Sequence, residues 1–194
     1  LDTDWAKATR LDLGYAELAA GLAPEDKSLL RAFYTSHVEY DRRGNTVAEI
    51  DALGNRRSIE YDAFGNPIKI TSPLGEAVFF YFDDQNNLRY TVQPDGAVSE
   101  QRYDAVGNLT TRTAYAARLT PGKFDEQSTT ADIATLVEAD SAVDQTEHYR
   151  YDARQRLIEK VDGRGNSDTF TYDTIGNRTS WTDREGRVTN YLFD

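Results

Sequence analysis

Carboxylates are the side chains of this chain that could most readily do chemistry. Asp and Glu make up 33 of the 194 residues, and the formal net charge is −11. Two opposed carboxyl groups could hydrolyse a glycosidic bond, and several at alternate positions of a loop could bind calcium. However, an aspartate directly after an aromatic residue recurs at seven regularly spaced positions, whereas a catalytic group is needed once. The residues that follow, such as Ala-Phe and Ala-Val, offer no further side-chain oxygens. We therefore predict neither catalytic residues nor a metal site.

The remaining candidates for chemistry are explained by repetition or are missing. The two histidines, His37 and His148, each lie three residues before the tyrosine of a Tyr-Asp pair, and no cysteine accompanies them as a zinc ligand. Neither the Gly-x-Ser-x-Gly turn of a nucleophilic serine nor the Gly-x-Gly-x-x-Gly loop of dinucleotide sites is present. We expect a segment that is not an enzyme and that needs no cofactor.

Charge and hydropathy restrict the partners. A net charge of −11 argues against nucleic acid, because phosphate binding needs a basic surface. No apolar run of about 18 residues is present, so we expect no membrane insertion by this segment. The chain contains no Met, and its first residues lack the basic and apolar regions of a signal peptide. We expect it to be a piece of a longer protein.

The aspartates belong to a repeat of 21 residues. Pairs of an aromatic residue and Asp begin at positions 40, 61, 82 and 103, and again at 151, 172 and 193. A second turn signal, such as Asp-Ala-Leu-Gly-Asn from Asp51, lies between successive pairs, so that turns follow at alternating steps of 10 and 11 residues. We assign a structural role in the repeat to Tyr40, Asp41, Gly44, Asn45, Tyr61, Asp62, Gly65, Asn66, Phe82, Asp83, Tyr103, Asp104, Gly107, Asn108, Tyr151, Asp152, Tyr172, Asp173, Gly176 and Asn177.

Each turn residue has a local physical reason. Asp accepts hydrogen bonds from the backbone N–H groups just ahead of it, and Gly supplies the positive φ of a type I turn with a G1 bulge. About six residues remain between turns, which is the length of a short strand. The spacing predicts an all-β fold, an open antiparallel ribbon of hairpins. The Tyr and the residue two before it, for example Val38 or Ile59, should stack across neighbouring strands.

Two segments interrupt the ribbon. Residues 128–140 favour a short amphipathic helix that Thr129 or Thr130 can cap, and residues 24–33 favour another with Pro at its start. We predict helices over 130–138 and 24–33, with strand pairing resuming after each. The predicted organisation is one continuous repeat domain with a helical insert and lead-in over 1–37, a first repeat block over 38–114, a helical insert over 115–146 and a second repeat block over 147–194.

Tandem Tyr-Asp-x-x-Gly-Asn units of 21 residues resemble the YD repeats of the Rhs family. The resemblance covers residues 38–114 and 147–194, and the relatives include Rhs polymorphic toxins, C-components of insecticidal toxin complexes, wall-associated proteins and teneurins. It implies a curved β-ribbon that spirals into a hollow shell, in a bacterial protein that is secreted or lies at the cell surface. The aspartate-based self-cleavage segment of effector-releasing Rhs toxins has no counterpart here, because the five prolines are isolated.

The resemblance implies a non-catalytic segment of a shell that encapsulates or presents a C-terminal toxin. Its partners would be the remaining repeats and the C-terminal domain of the parent protein. The alternative is a surface adhesin or binding module that recognises a carbohydrate or a surface protein through rows of exposed aromatic residues. Catalysis needs one unique constellation, whereas scaffolds and multivalent binders need many equal units, so the repetition disfavours an enzyme.

Overall fold

The computed structural model describes residues 8–11 and 35–193. In these residues every strand neighbours the next one along the chain in a single antiparallel sheet, and the linear strand order leaves the sheet open. The all-β ribbon of hairpins predicted from the turn spacing is confirmed. The strands are β1 Ala8–Leu11, β2 Thr35–Tyr40, β3 Thr46–Ile50, β4 Arg56–Tyr61, β5 Pro67–Thr71, β6 Ala77–Phe82, β7 Leu88–Val92, β8 Ala97–Tyr103, β9 Leu109–Arg118, β10 Gln145–Tyr151, β11 Leu157–Val161, β12 Ser167–Tyr172, β13 Arg178–Thr182 and β14 Val188–Asn190.

Two compact units divide the chain, Leu1–Phe79 and Phe80–Asp194, and both are built from the same hairpin. Their turns have the positive φ expected from the sequence, for example 90° at Gly65 and 105° at Gly176. Asn86 and Gln155 take the same left-handed conformation without being glycine, at φ 65° and 62°. The turn geometry is therefore kept even where the residue that favours it is missing.

Two kinds of turn alternate, and only the Tyr-Asp turns shift the strand register. Glu39 pairs with Ala48, but the next residue, Tyr40, pairs with Thr46, so β3 carries one extra residue as a β-bulge. The same shift follows the Tyr-Asp turns after β4, β8, β10 and β12. The intervening turns, such as those between β3 and β4 or β11 and β12, keep a continuous register. The strand entering a Tyr-Asp turn is one residue longer than the strand leaving it in β4 and β5, six residues against five, whereas β9, which leaves the turn after β8, extends to ten residues.

Successive repeats are staggered along the strands. The register links His37 to Ile50 and Ile50 to Arg56, whereas the residue one period of 21 after His37 is Ser58. Each repeat is therefore displaced by two residues relative to the one before it. The same offset relates β10, β11 and β12 in the second unit.

An insertion separates β9 from β10 and contains the helix α1, Thr130–Leu136. Thr129 caps this helix: its side chain accepts a hydrogen bond from the Asp132 backbone N–H, and the Asp132 carboxylate accepts one from the Thr129 N–H at 2.8 Å. The predicted cap is confirmed. The helix ends two residues earlier than predicted, because Val137 already has an extended backbone with ψ 122°. The other predicted helix, over 24–33, lies outside the described residues.

The insertion packs its apolar side chains against the strands of the second unit. Ile133 of α1 and Val92 of β7 are fully buried, and Leu119 and Phe124 of the insertion are buried with them. Strand pairing then resumes as predicted, with Thr111 of β9 opposite His148 of β10. In the described part of the chain, the helix is too short to cross a membrane.

Candidate functional site

Turns of both kinds close on the carboxylate of their own aspartate. In the first, Asp41 Oδ1 accepts hydrogen bonds from the backbone N–H groups of Arg43 and Asn45 at 2.8 and 2.9 Å, and Oδ2 accepts one from the Asn45 side-chain amide at 3.0 Å. The carboxylates of six further turns make the same three contacts: Asp51, Asp62, Asp83, Asp104, Asp162 and Asp173. These oxygens are occupied by the turn itself, which leaves little capacity for a ligand.

Arginine replaces the asparagine in two of the turns and reproduces its contact. Arg156 Nε donates to Asp152 Oδ2 at 2.8 Å, and Arg187 Nε donates to Asp183 Oδ2 at 2.6 Å. A charged donor thus takes the place of the amide without changing the backbone hydrogen bonds to Oδ1.

The turn hydrogen bonds also fix the charge of the aspartates. The side-chain amide and backbone N–H of Asn55 hold the pKa of Asp51 below its ordinary value, and Asn108 acts in the same way on the pKa of Asp104. At Asp41, burial acts in the opposite direction, but the donors from Asn45 outweigh it and its pKa is also lowered. A general acid at neutral pH needs a raised pKa. These carboxylates are therefore suited to holding turns rather than to donating protons.

The tyrosines of the pairs tie neighbouring strands together. Tyr61 Oη donates to the carbonyl of Thr46 at 2.9 Å, and Tyr172 Oη donates to the carbonyl of Leu157 at 2.7 Å. Both acceptors lie 15 residues earlier, at the first residue of the strand that leaves the preceding Tyr-Asp turn. The Arg156 guanidinium covers the Tyr172 ring, 4.7 Å from its centroid. The hydroxyls and one ring face are thus used inside the sheet.

Successive Tyr-Asp turns are also linked along their edge of the sheet. Arg43 donates to the carbonyl of Ala63 in the next turn at 2.8 Å, and Arg154 donates to the carbonyl of Thr174 at 2.7 Å. Arg43 and Arg154 occupy the same place, two residues after the Asp of their turns. In other turns this place holds an exposed apolar residue, such as Phe64 and Ile175 at 85% and 83% exposure.

The most deeply buried charge of the described residues is not in a turn. Glu100 of β8 has a side chain only 3% exposed and pairs with Arg89 at 2.6 Å. Its carboxylate also accepts hydrogen bonds from Tyr115 Oη at 2.7 Å and Tyr90 Oη at 3.0 Å, and it pairs with Arg102 at 3.2 Å. Burial alone would raise the pKa of Glu100, but the Tyr115 hydroxyl and the two arginines outweigh it, so that the pKa is lowered. The group is ionised and fully paired, as a buried charge must be.

The Glu100 cluster was not predicted from the sequence. Its residues lie on the three strands β7, β8 and β9 and belong to no repeated motif. A signal was present in β8, where Val98 and Glu100 occupy alternate positions that both face the buried side. A charged residue at an apolar position of a strand indicates a paired, buried charge.

No further chemistry assembles around the histidines. His37 Nε2 lies 4.0 Å from the Glu39 carboxylate, and His148 is exposed on β10. Within residues 8–11 and 35–193, no three His, Cys, Asp or Glu side chains come together in a group that could hold a metal ion.

Comparisons with known proteins agree with the repeat. The family described as RHS Repeat matches residues 40–77 and 151–188, which begin at Tyr40 and Tyr151. The double-stranded DNA deaminase toxin A of Burkholderia cenocepacia (strain H111) is 25% identical over 156 residues, a match that covers 80% of this chain and 10% of that protein.

A solved structure shares the fold. The crystal structure of TcdB2-TccC3-TEV superposes with a TM-score of 0.54 at 12% identity, over 80% of this chain and 8% of that one. The chain thus spans about a tenth or less of the length of the relatives that it matches. With the turn chemistry and the matched repeats in agreement, the resemblance noted in the sequence is confirmed: residues 40–77 and 151–188 are RHS repeats, in a chain whose fold the solved structure shares.

Proposed function

We propose that this chain is a non-catalytic segment of a β-shell that encapsulates or presents a C-terminal toxin. The observation that carries the proposal is the equivalent use of the aspartate in both kinds of turn. Seven aspartates, five after an aromatic residue and two in the intervening turns, accept the same three hydrogen bonds from their own turn, and Asp152 and Asp183 accept the third bond from an arginine. A function that is distributed over many equal units is that of a scaffold.

The surface of the turns supports packing against other parts of the parent protein. Leu53, Phe64, Leu74, Val106 and Ile175 are each more than half exposed at the turn tips. Apolar side chains that protrude in series from the turns at both ends of the strands are expected to be covered by a partner. We infer that the remaining repeats and the C-terminal domain of the parent protein are these partners, in a secreted bacterial protein.

The alternative of an adhesin that binds through rows of exposed aromatic residues has less support. From Tyr61 to Tyr172, the aromatic residues of the pairs are half-buried, while Tyr40 is 39% exposed. Tyr61 and Tyr172 have their hydroxyls bonded to backbone carbonyls. Sugar recognition would need those ring faces and hydroxyls to be free.

Limited proteolysis of the protein expressed from its full gene tests the proposal. We expect the C-terminal region to resist protease in the wild type and to be cut in the Gly65→Val, Gly176→Val variant, whose turns cannot keep φ near 90–105°. Arg42→Thr, at an exposed position of a Tyr-Asp turn two residues before Gly44, is the matched control and should keep the protection. A C-terminal region cut as fast in the wild type as in isolation would refute encapsulation, and specific binding of this chain on a glycan array would favour the adhesin.

A further inference from the structure

A polar cleft of about 550 Å³ lies in the second unit, between β9, the end of the insertion and two of the turns. Three arginines line it: Arg112 on β9, Arg164 in the turn between β11 and β12, and Arg184 in the turn between β13 and β14. Gly163 lets the turn between β11 and β12 approach the backbone of β10 closely, because a Cβ at this position would lie 3.2 Å from the Thr146 nitrogen. The turn that carries Arg164 is therefore held against β10 by close backbone contact.

The carboxylates of the cleft already have protein partners. Glu147 pairs with Lys160 at 2.7 Å and accepts a hydrogen bond from Tyr149 Oη at 2.6 Å. Asp144 accepts two backbone N–H groups at 2.8 and 2.7 Å. Asp162 accepts the donors of its own turn, at 2.9, 2.9 and 3.0 Å. These three groups are held in place by other donors, and Arg112 and Arg184 attract Glu147 and Asp162 only at a longer range than an ion pair.

The arginines, in contrast, have unused donors. Among the described residues, the guanidinium groups of Arg112, Arg164 and Arg184 form no ion pair and donate no side-chain hydrogen bond. Elsewhere in the sheet arginines are commonly paired, as Arg150 is with Glu159 at 2.9 Å. A guanidinium presents five N–H donors in a planar fork that fits a carboxylate in bidentate geometry.

We propose that this cleft binds an acidic stretch of polypeptide, with single carboxylates pairing with Arg164, Arg184 and Arg112. The charge pattern favours this ligand over a phosphate. Three arginines and three carboxylates give the cleft no net charge, so a dense dianion gains little attraction and meets the fixed carboxylates. Carboxylates spaced along an extended peptide can each reach a guanidinium and leave the fixed acidic groups between them. The cleft is open to solvent, as an extended chain requires.

Fluorescence anisotropy with the 194-residue chain tests the proposal. The probe is a labelled peptide of alternating glutamate and glycine, and its control carries glutamine in place of glutamate. We expect the acidic peptide to bind, the glutamine peptide not to bind, and the Arg164→Gln, Arg184→Gln double variant to bind the acidic peptide at least about tenfold more weakly. Arg42→Gln, at an exposed arginine of the first unit that does not line the cleft, should change the affinity by less than about twofold.

Three results would overturn the proposal. They are equal binding of the two peptides, unchanged affinity in the double variant, and displacement of the peptide by pyrophosphate at lower concentration than by unlabelled peptide. The last would assign the cleft to a phosphate ligand. Arg164 and Arg184 both lie at exposed turn tips, so we expect the double variant to have an unchanged melting temperature. Arg184→Lys keeps the positive charge without the planar fork of N–H donors, and it should weaken binding less than Arg184→Gln.

Discussion

Gly96 allows the two costs of adding a side chain to a turn to be separated. Its φ is +80°, and a Cβ there would overlap the carbonyl oxygen of Leu119, where the insertion leaves β9. Gly165 has a similar φ of +82°, in a turn of the same kind and the same unit, but nothing lies within 4 Å of its Cβ position. Gly165→Ala therefore introduces backbone strain alone, and Gly96→Ala introduces strain and a clash.

The expected magnitudes follow from the contacts. Left-handed backbone costs an L-residue about 1–2 kcal/mol, which is the predicted loss of unfolding free energy for Gly165→Ala. Gly96→Ala must also break the 2.8 Å hydrogen bond from the Leu119 N–H to the Gly96 carbonyl, worth about 0.5–1.5 kcal/mol. Displacing Leu119, now only 7% exposed, loses part of a burial worth about 1.5–3 kcal/mol. The total for Gly96→Ala is about 2–6 kcal/mol, more than the loss for Gly165→Ala.

Urea unfolding followed by circular dichroism measures both losses, and hydrogen exchange reports on the Leu119 amide directly. We expect Gly96→Ala to be less stable than Gly165→Ala and to lose protection at the Leu119 N–H. Equal losses in the two variants, or a Leu119 amide that stays protected in Gly96→Ala, would show that the insertion is not held at this contact.

Three further predictions use the turns and the buried glutamate. Gln155→Gly should raise the unfolding free energy by up to about 1 kcal/mol in a urea melt, because it removes left-handed strain at φ 62°; a loss would contradict this. Tyr172→Phe should cost about 0.5–1.5 kcal/mol through the lost hydrogen bond to a carbonyl, and Tyr40→Phe, the same change at a partly exposed tyrosine, should cost less in the same melt. Glu100→Gln should cost about 3–5 kcal/mol, since Glu100 is a buried, paired carboxylate. The folded-state pKa of Glu100 lies below its ordinary value of 4.5. Its contribution to the unfolding free energy is therefore complete above pH 4.5 and is lost as the pH falls through the folded-state pKa. The unfolding free energies of the wild type and of Glu100→Gln should converge at that low pH, and a difference that stays constant with pH would refute this.

The turns could be predicted from the sequence because their causes are local. Asp62 and Gly65 lie three residues apart, and the hydrogen bonds that fix them span at most four residues, as from Asn66 to Asp62. The helix cap at Thr129 and Asp132 is local for the same reason. Such contacts depend on residue type and spacing, which the printed sequence displays directly.

The Glu100 cluster and the arginine-lined cleft depend on distant residues. Tyr115 reaches Glu100 across 15 positions of sequence, and only the pairing of β8 with β9 brings them together. The sequence predicted a G1 bulge at the turn glycine, but it did not predict the further bulge in the strand that follows the Tyr-Asp turns, such as the extra Val47 of β3, because the two kinds of turn share the same Asp and Gly chemistry. The two kinds of turn differ only in the register of the strand that follows, which is shifted after a Tyr-Asp turn and continuous after an intervening turn.

The displacement of two residues per repeat sets a shear. Each repeat advances by two strands, about 9.6 Å across the sheet, and slides about 6.6 Å along the strands. Within each unit, rows of equivalent turn tips therefore run at about 35° to the perpendicular of the strands. One residue of shear per strand is the ratio of an eight-stranded barrel with a shear of eight, whose strands tilt by about 36°. Wherever this ribbon coils around an axis, its strands should be tilted by about 36° relative to that axis. The deletion of one whole repeat would then shorten the coil without changing its pitch.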